Sequence, residues 1–166
     1  MSDQKRIDEI IDGINARLPL IQLKVQFQSI DLNLVGTHGR TPLMAAIVNG
    51  SIPMVEALVR IGAGVQASGH RQLTALHEAA AHGEVEIVKY LISLGAVIDA
   101  VNNDGVTPLM CAAAWGHYEA VEILLRGGAD WRNKDARGAT ASDIAREKGE
   151  DSTADLIDFW SEQREQ

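Results

Sequence analysis

Thr107-Pro108-Leu109-Met110-Cys111-Ala112-Ala113-Ala114-Trp115-Gly116-His117 is the stretch on which the fold turns. Its opening recurs as Thr41-Pro42-Leu43 and, in weaker form, as Thr74-Ala75-Leu76 and Thr140-Ala141-Ser142, so the starts fall at 41, 74, 107 and 140, each 33 residues after the last. Gly50, Gly83, Gly116 and Gly149 keep the same step, as do Gly62-Ala63, Gly95-Ala96 and Gly128-Ala129. A fixed period of about 20–50 residues marks an array of small units, none of which buries its apolar face alone. Such an array offers a surface rather than a reaction chamber.

Within each unit the residues dictate their own geometry. Thr is a good N-cap, and Pro has its φ pre-set for the first helical position, where its missing N–H costs nothing. Thr41-Pro42 and Thr107-Pro108 therefore start short first helices, about seven residues long, whose alanines allow close packing. Gly50, Gly83 and Gly116 break the chain, and second helices are expected over Pro53–Ile61, Val85–Leu94 and Tyr118–Arg126. Their apolar residues recur at helical spacing: Met54, Val55 and Leu58; Ile87, Val88 and Leu91; Ala120, Val121 and Leu124. Gly62, Gly95 and Gly128 stand where a left-handed terminating residue belongs. Extended arms follow, with turn residues such as Asn102-Asn103-Asp104-Gly105.

Composition narrows the function classes. The 166 residues are 46% hydrophobic, which suits a folded chain with a core. A net charge of −8, from 23 acidic and 15 basic residues, argues against nucleic acid, whose binding rests on neutralised phosphates. The single cysteine, Cys111, allows no internal disulfide. Charged residues punctuate Met1–Leu20, and no stretch approaches the ~20 apolar residues of a membrane span. A cytoplasmic protein without membrane contact is the expectation; export without a cleavable signal fits the same sequence.

Read in one phase, Ala112-Ala113, Gly116-His117, Val121, Leu124-Leu125 and Gly128-Ala129-Asp130 resemble the ankyrin-repeat family. The resemblance covers most of the chain. It implies an all-α ankyrin-repeat solenoid of helix–turn–helix units with β-turn fingers, four repeats and a helical N-terminal cap. The boundaries follow as a cap over 1–35 and repeats over 36–68, 69–101, 102–134 and 135–166, forming one domain.

Departures from the pattern are informative. Gln72 replaces the turn glycine found at Gly39, Gly105 and Gly138, so the second finger is expected to bend differently. Only His77 holds the family's usual histidine position; Met44, Met110 and Asp143 hold the others. Asp143, Arg146, Asp151, Thr153 and Asp158 give the last repeat polar residues in place of apolar ones, as a terminal cap requires. At the other end, Ile7, Ile10, Ile11, Ile14 and Leu18 form a helical stripe. Ser29 to Asn33 align with Gly62 to Gln66. Between them Ile21, Leu23, Val25 and Phe27 alternate as in a strand, but the repeat phase favours a helix.

Catalytic chemistry finds little support. His77 and His82 lie five apart across a helix end and share no face, while zinc needs three or four converging ligands. His77 reads as a structural hydrogen-bonding residue, and Cys111, among alanines, reads as a buried and inert thiol. Glu84, Glu86, Glu119 and Glu122 fall on solvated faces, and no phosphate-cradling glycine cluster occurs. No catalytic residue, metal, cofactor or small-molecule substrate is expected. A ligand- or metal-dependent enzyme using the finger histidines is the weaker alternative.

A partner protein is the stronger expectation, held non-catalytically by an adaptor, regulator or inhibitor. The resemblance implies a concave face of finger tips and first-helix ends. Carried onto this sequence, it comprises His38, Arg40, Asn49, His70, Arg71 and Leu73, then His82, Asn103, Asp104, Val106, Trp115 and Arg137. Trp115 leads because its counterparts Asn49, His82 and Lys148 show that the repeat needs no apolar group there. Trp131, matching Val65 and Ile98, is expected between repeats, and Trp160 in the core of the last helix with Leu156 and Ile157.

Overall fold

The computed structural model describes residues 2–17 and 30–164. Among them nine α-helices and one 3-10 turn appear, and the only extended pairing is an isolated antiparallel bridge between Ser68 and Thr74. The fold class is all-α, with helix pairs joined by turns and projecting fingers. The chain divides into two compact units, Met1–Ala75 and Leu76–Gln166.

In the first unit, α1 (Asp3–Asn15) begins where the Ser2 hydroxyl accepts from Lys5 N, and it buries Ile7, Ile10, Ile11 and Ile14. α2 (Pro42–Val48) lies against both α1 and α3 (Ile52–Arg60). Thr41 caps α2 as its composition demands, its hydroxyl accepting from Met44 N at 3.3 Å. The residues 18–29, for which the repeat phase favours a helix, lie outside the described residues, and Leu18 with them.

The fingers are built by backbone bonds. Gly36 N donates to Arg40 O at 2.8 Å and Gly39 N to Gly36 O at 2.9 Å, with Gly39 in the left-handed region (φ 81°). His70 N of the second finger then donates to Gly39 O at 2.8 Å. Among the described residues no finger precedes the first, and the matching amide, Thr37 N, donates to Asp8 Oδ1 of α1 at 2.8 Å.

Gln72 changes the second finger as expected, with a definite geometry. Arg71 and Gln72 both enter the left-handed region (φ 59° and 62°) inside a 3-10 turn, His70–Gln72, and Leu73 N donates to His70 O at 3.3 Å. Side chains other than glycine's are strained there, because Cβ crowds the carbonyl oxygen.

The second unit holds α4 (Ala75–Ala81, starting at the boundary), α5 (Val85–Ser93), α6 (Pro108–Ala114), α7 (Tyr118–Arg126), α8 (Ala141–Lys148) and α9 (Asp151–Arg164). α6 packs on α7 and α8, α7 on α5 and α9, and α8 on α9. All nine predicted stripe residues of the second helices are buried across the two units. Arm-to-arm bonds repeat at one offset within each unit: Asn33 Oδ1 accepts from Gly64 N at 2.7 Å, and Asp99 Oδ1 accepts from Asp130 N at 3.1 Å.

The terminal repeat corrects several expectations. Thr153 is buried, not outward, because it shares the inner face of α9 with Ala154 and Ile157, one helical turn on. Only Ile157 of the expected apolar trio is buried; Leu156 and Trp160 are half-exposed. Trp131 is likewise half-exposed, with the Arg132 guanidinium over its ring at 5.2 Å. Asp143 proves to be a cap: its carboxylate accepts from Thr140 N at 2.9 Å, while Thr140 Oγ1 accepts from Asp143 N at 3.2 Å.

Two stability outcomes follow. Leu91→Ala and Leu124→Ala, each removing a fully buried side chain, are expected to cost ~2–5 kcal/mol in denaturant unfolding. Gln72→Gly is expected to raise stability by about 0.5–1 kcal/mol, since relief of the left-handed strain outweighs the added freedom of the unfolded chain.

Candidate partner-binding surface

The ends of the first helices and the fingers carry the expected contact residues, and several of them also hold the fold together by hydrogen bonds. In the first unit, Asn49 at the end of α2 is occupied. Its amide donates to Ile14 O at 3.3 Å, Asn15 Oδ1 at 3.3 Å and Ala45 O at 3.1 Å, joining α2 to the end of α1. His38 is exposed, with Nδ1 3.5 Å from Thr37 Oγ1, and Arg40 is half-buried. His38, Arg40, Ile11, Asp12 and Val48 border a hollow of about 230 Å³.

The His70 ring lies against Gly39, where an added Cβ would stand 2.9 Å from it. Arg71 is exposed at the strained turn, and Leu73 is half-buried with its carbonyl accepting from Gly69 N at 2.8 Å. The first unit thus presents His38, His70 and Arg71 outward, while the Asn49 amide is engaged in holding helices together.

In the second unit, the ring of His82 bonds back into its own helix. Nδ1–H donates to Glu78 O at 2.9 Å and stands 3.8 Å from Glu78 Oε2. His117 closes the same helix from the next repeat, Nε2–H donating to Ala81 O at 3.0 Å. Trp115 occupies the position of Asn49 and His82 but ties nothing down, and it is 67% exposed. With Ala81, His82 and His117 it borders a hollow of about 480 Å³.

The fingers of this unit rest on two side chains that the sequence reading left out. Asn102 Oδ1 accepts from Asp104 N at 2.9 Å and Val106 N at 3.0 Å. Asp135, 33 residues on, accepts from Arg137 N and Ala139 N, both at 2.9 Å. Ala136 N donates to Asp104 O at 2.8 Å, linking the tips. Asn103 and Arg137 are exposed, while Asp104 and Val106 are half-buried with their backbones engaged. Arg137 Nε donates to Asp135 at 3.1 Å, and its Nη1 donates to Glu147 at 3.4 Å. The signal for the two organisers was an Asn or Asp three residues before the turn glycine, one period apart.

Protonation follows this geometry. The Ala139 N–H, and then Arg137, hold the Asp135 carboxyl below its ordinary range. Cys111 is half-buried rather than fully buried as expected, yet desolvation pushes its thiol up to about 12, which makes it a poor nucleophile near neutrality. Among the described residues no three His, Cys, Asp or Glu side chains converge as metal ligands. No described helix is long and apolar enough to cross a membrane.

His77 is 1% exposed, its Nε2–H donating to Val106 O at 3.0 Å. Burial lowers its pKa from the ordinary 6.5, although the Val106 bond and Glu78 oppose the shift. Below 6.5 the unfolded chain binds a proton that the native imidazole resists, so stability rises with pH in that window. Stability is expected to be full above pH 6.5 and to fall as acid crosses the lower native value. Urea midpoints between pH 7.5 and 5 check this, with a shallower slope expected for His77→Gln.

A model of ankyrin repeats in three copies matches residues 61–135, and a single ankyrin-repeat model matches 38–67. No curated protein matches the chain. Ankyrin repeats are generally protein–protein interaction modules and generally non-catalytic. The matched segments overlap over 61–67 and together span 38–135, more than half of the residues. The chain belongs to the ankyrin-repeat family.

Proposed function

We propose that this protein captures a partner protein without catalysis, on its finger tips and first-helix ends. His38, Arg40, His70, Arg71 and Leu73 contribute from the first unit. His82, Asn103, Asp104, Val106, Trp115 and Arg137 contribute from the second. Asn49 contributes beside them from the first unit, its amide positioned by Ile14, Asn15 and Ala45 as the His82 ring is by Glu78. The role is that of a regulator or inhibitor whose contact residues are held, within each unit, by bonds made before the partner arrives, which reduces the ordering cost of association.

One observation carries this reading. A tryptophan, 67% exposed, stands at a position where the equivalent Asn49 and His82 are held by carbonyls of their own helices. Leaving a large apolar ring in water has no benefit for folding, whereas such rings dominate binding energy at protein interfaces.

Trp115→Ala is expected to weaken capture of the cellular partner by ~2 kcal/mol or more, and to change stability by less than about 0.5 kcal/mol. Affinity capture from the native cell, paired with a urea melt of each protein, measures both. Undiminished capture by the variant would rule out the role given to Trp115.

A further inference from the structure

The three tryptophans all lie in the second unit, and their surroundings differ in one respect. Arg132 sits over Trp131 at 5.2 Å, and Arg164 sits over Trp160 at 5.3 Å. An arginine cation on the ring face is attracted to the negative face of the indole quadrupole. The exposed indole of Trp115 has no such cation from its own chain among the described residues.

Charge is unequal along the chain. Met1–Ala75 carries six acidic and seven basic residues, whereas Leu76–Gln166 carries seventeen acidic and eight basic, so the excess acidity belongs to the unit that bears Trp115. A carboxylate also stands close in the fold: Glu150 lies against Gly116, the residue after Trp115.

From the bare indole and the acidic unit around it, we infer that the Trp115 hollow receives a basic segment of the partner protein, with an arginine or lysine cation laid on the ring. This rests on the protein-binding reading above and specifies the partner's chemistry. Acidic partners meet repulsion here, and a purely apolar segment would gain nothing from the Glu150 carboxylate or from the unit's excess acidity. The hollow of about 480 Å³ is large enough for one long side chain beside His82 and His117.

The test uses the full chain and three octapeptide probes: alternating arginine–glycine, alternating glutamate–glycine and alternating leucine–serine. The indole N–H resonance of Trp115 is assigned by its loss in Trp115→Ala and followed during titration. The arginine peptide is expected to shift that resonance, with an affinity that falls as salt rises. Trp115→Ala and Trp115→Leu are both expected to lose about fivefold in affinity, the leucine keeping bulk without a ring face.

Equal affinity of Trp115→Leu would mean that bulk, not the π face, is recognised, and would overturn the inference. So would a shift of the Trp115 resonance by the glutamate or leucine peptide at equal or lower concentration, although the surface would then still bind peptide and the protein-binding reading would stand. An arginine peptide that leaves the Trp115 resonance unmoved overturns the inference as well. Capture of the cellular partner, measured separately, decides the broader reading.

Discussion

Every outer helix here depends on burial that it cannot provide for itself. α5 and α7 are nine residues each, shorter than the ~12–15 at which an isolated helix becomes even marginally stable in water. Their stability comes from stripes such as Ile87, Val88 and Leu91 in α5, and Val121 and Leu124 in α7, packed where the two helices meet. A spacing of 33 residues keeps these stripes facing one another, so one displaced residue would turn a stripe toward solvent. The hydrogen bonds between arms obey the same spacing, because Asn33 reaches Gly64 and Asp99 reaches Asp130 at one offset.

Bonds between neighbouring fingers have counterparts at the first and fourth repeats. At the first finger the Thr37 amide donates to the Asp8 carboxylate of α1, where His70 of the second finger donates to the Gly39 carbonyl. In the last repeat, Thr140 and Asp143 satisfy each other's backbone groups at the start of α8, and Arg146 reaches Asp158 on α9. Polar residues at these ends therefore have structural work as well as a solubilising one. Thr153 shows the limit of the polar-cap idea, because a small hydroxyl side chain is accommodated on the inner face of α9.

The same economy separates scaffold from recognition at the ends of the first helices. One repeat position carries Asn49, His82, Trp115 and Lys148. The first two return their polar atoms to carbonyls within the fold. His117 adds a second closure of the α4 end from the next repeat. Trp115, at the end of α6, instead holds a ring that faces water within the acidic unit. Function in a repeat protein is thus sought where the periodic constraint lapses, and Trp115 is such a place.

Much was legible before any coordinates. The Thr-Pro starts, the glycine stops and the apolar stripes are local signals, each written within a few residues, and the helices lie within one residue of the bounds they imply. Gln72 also announced an altered finger, because only the loss of glycine's freedom at a left-handed turn was needed to foresee it. Other features arise between residues far apart in the chain: Asn49 bonding to Ile14, His117 to Ala81, Asp8 to Thr37, and the half-exposed settings of Trp131 and Trp160. Periodicity alone determined which elements form and in what order. Which polar atoms are consumed by the fold, and which rings are left to meet another molecule, was decided by tertiary structure, since a hydrogen bond or a buried face requires neighbours that the linear sequence does not place side by side.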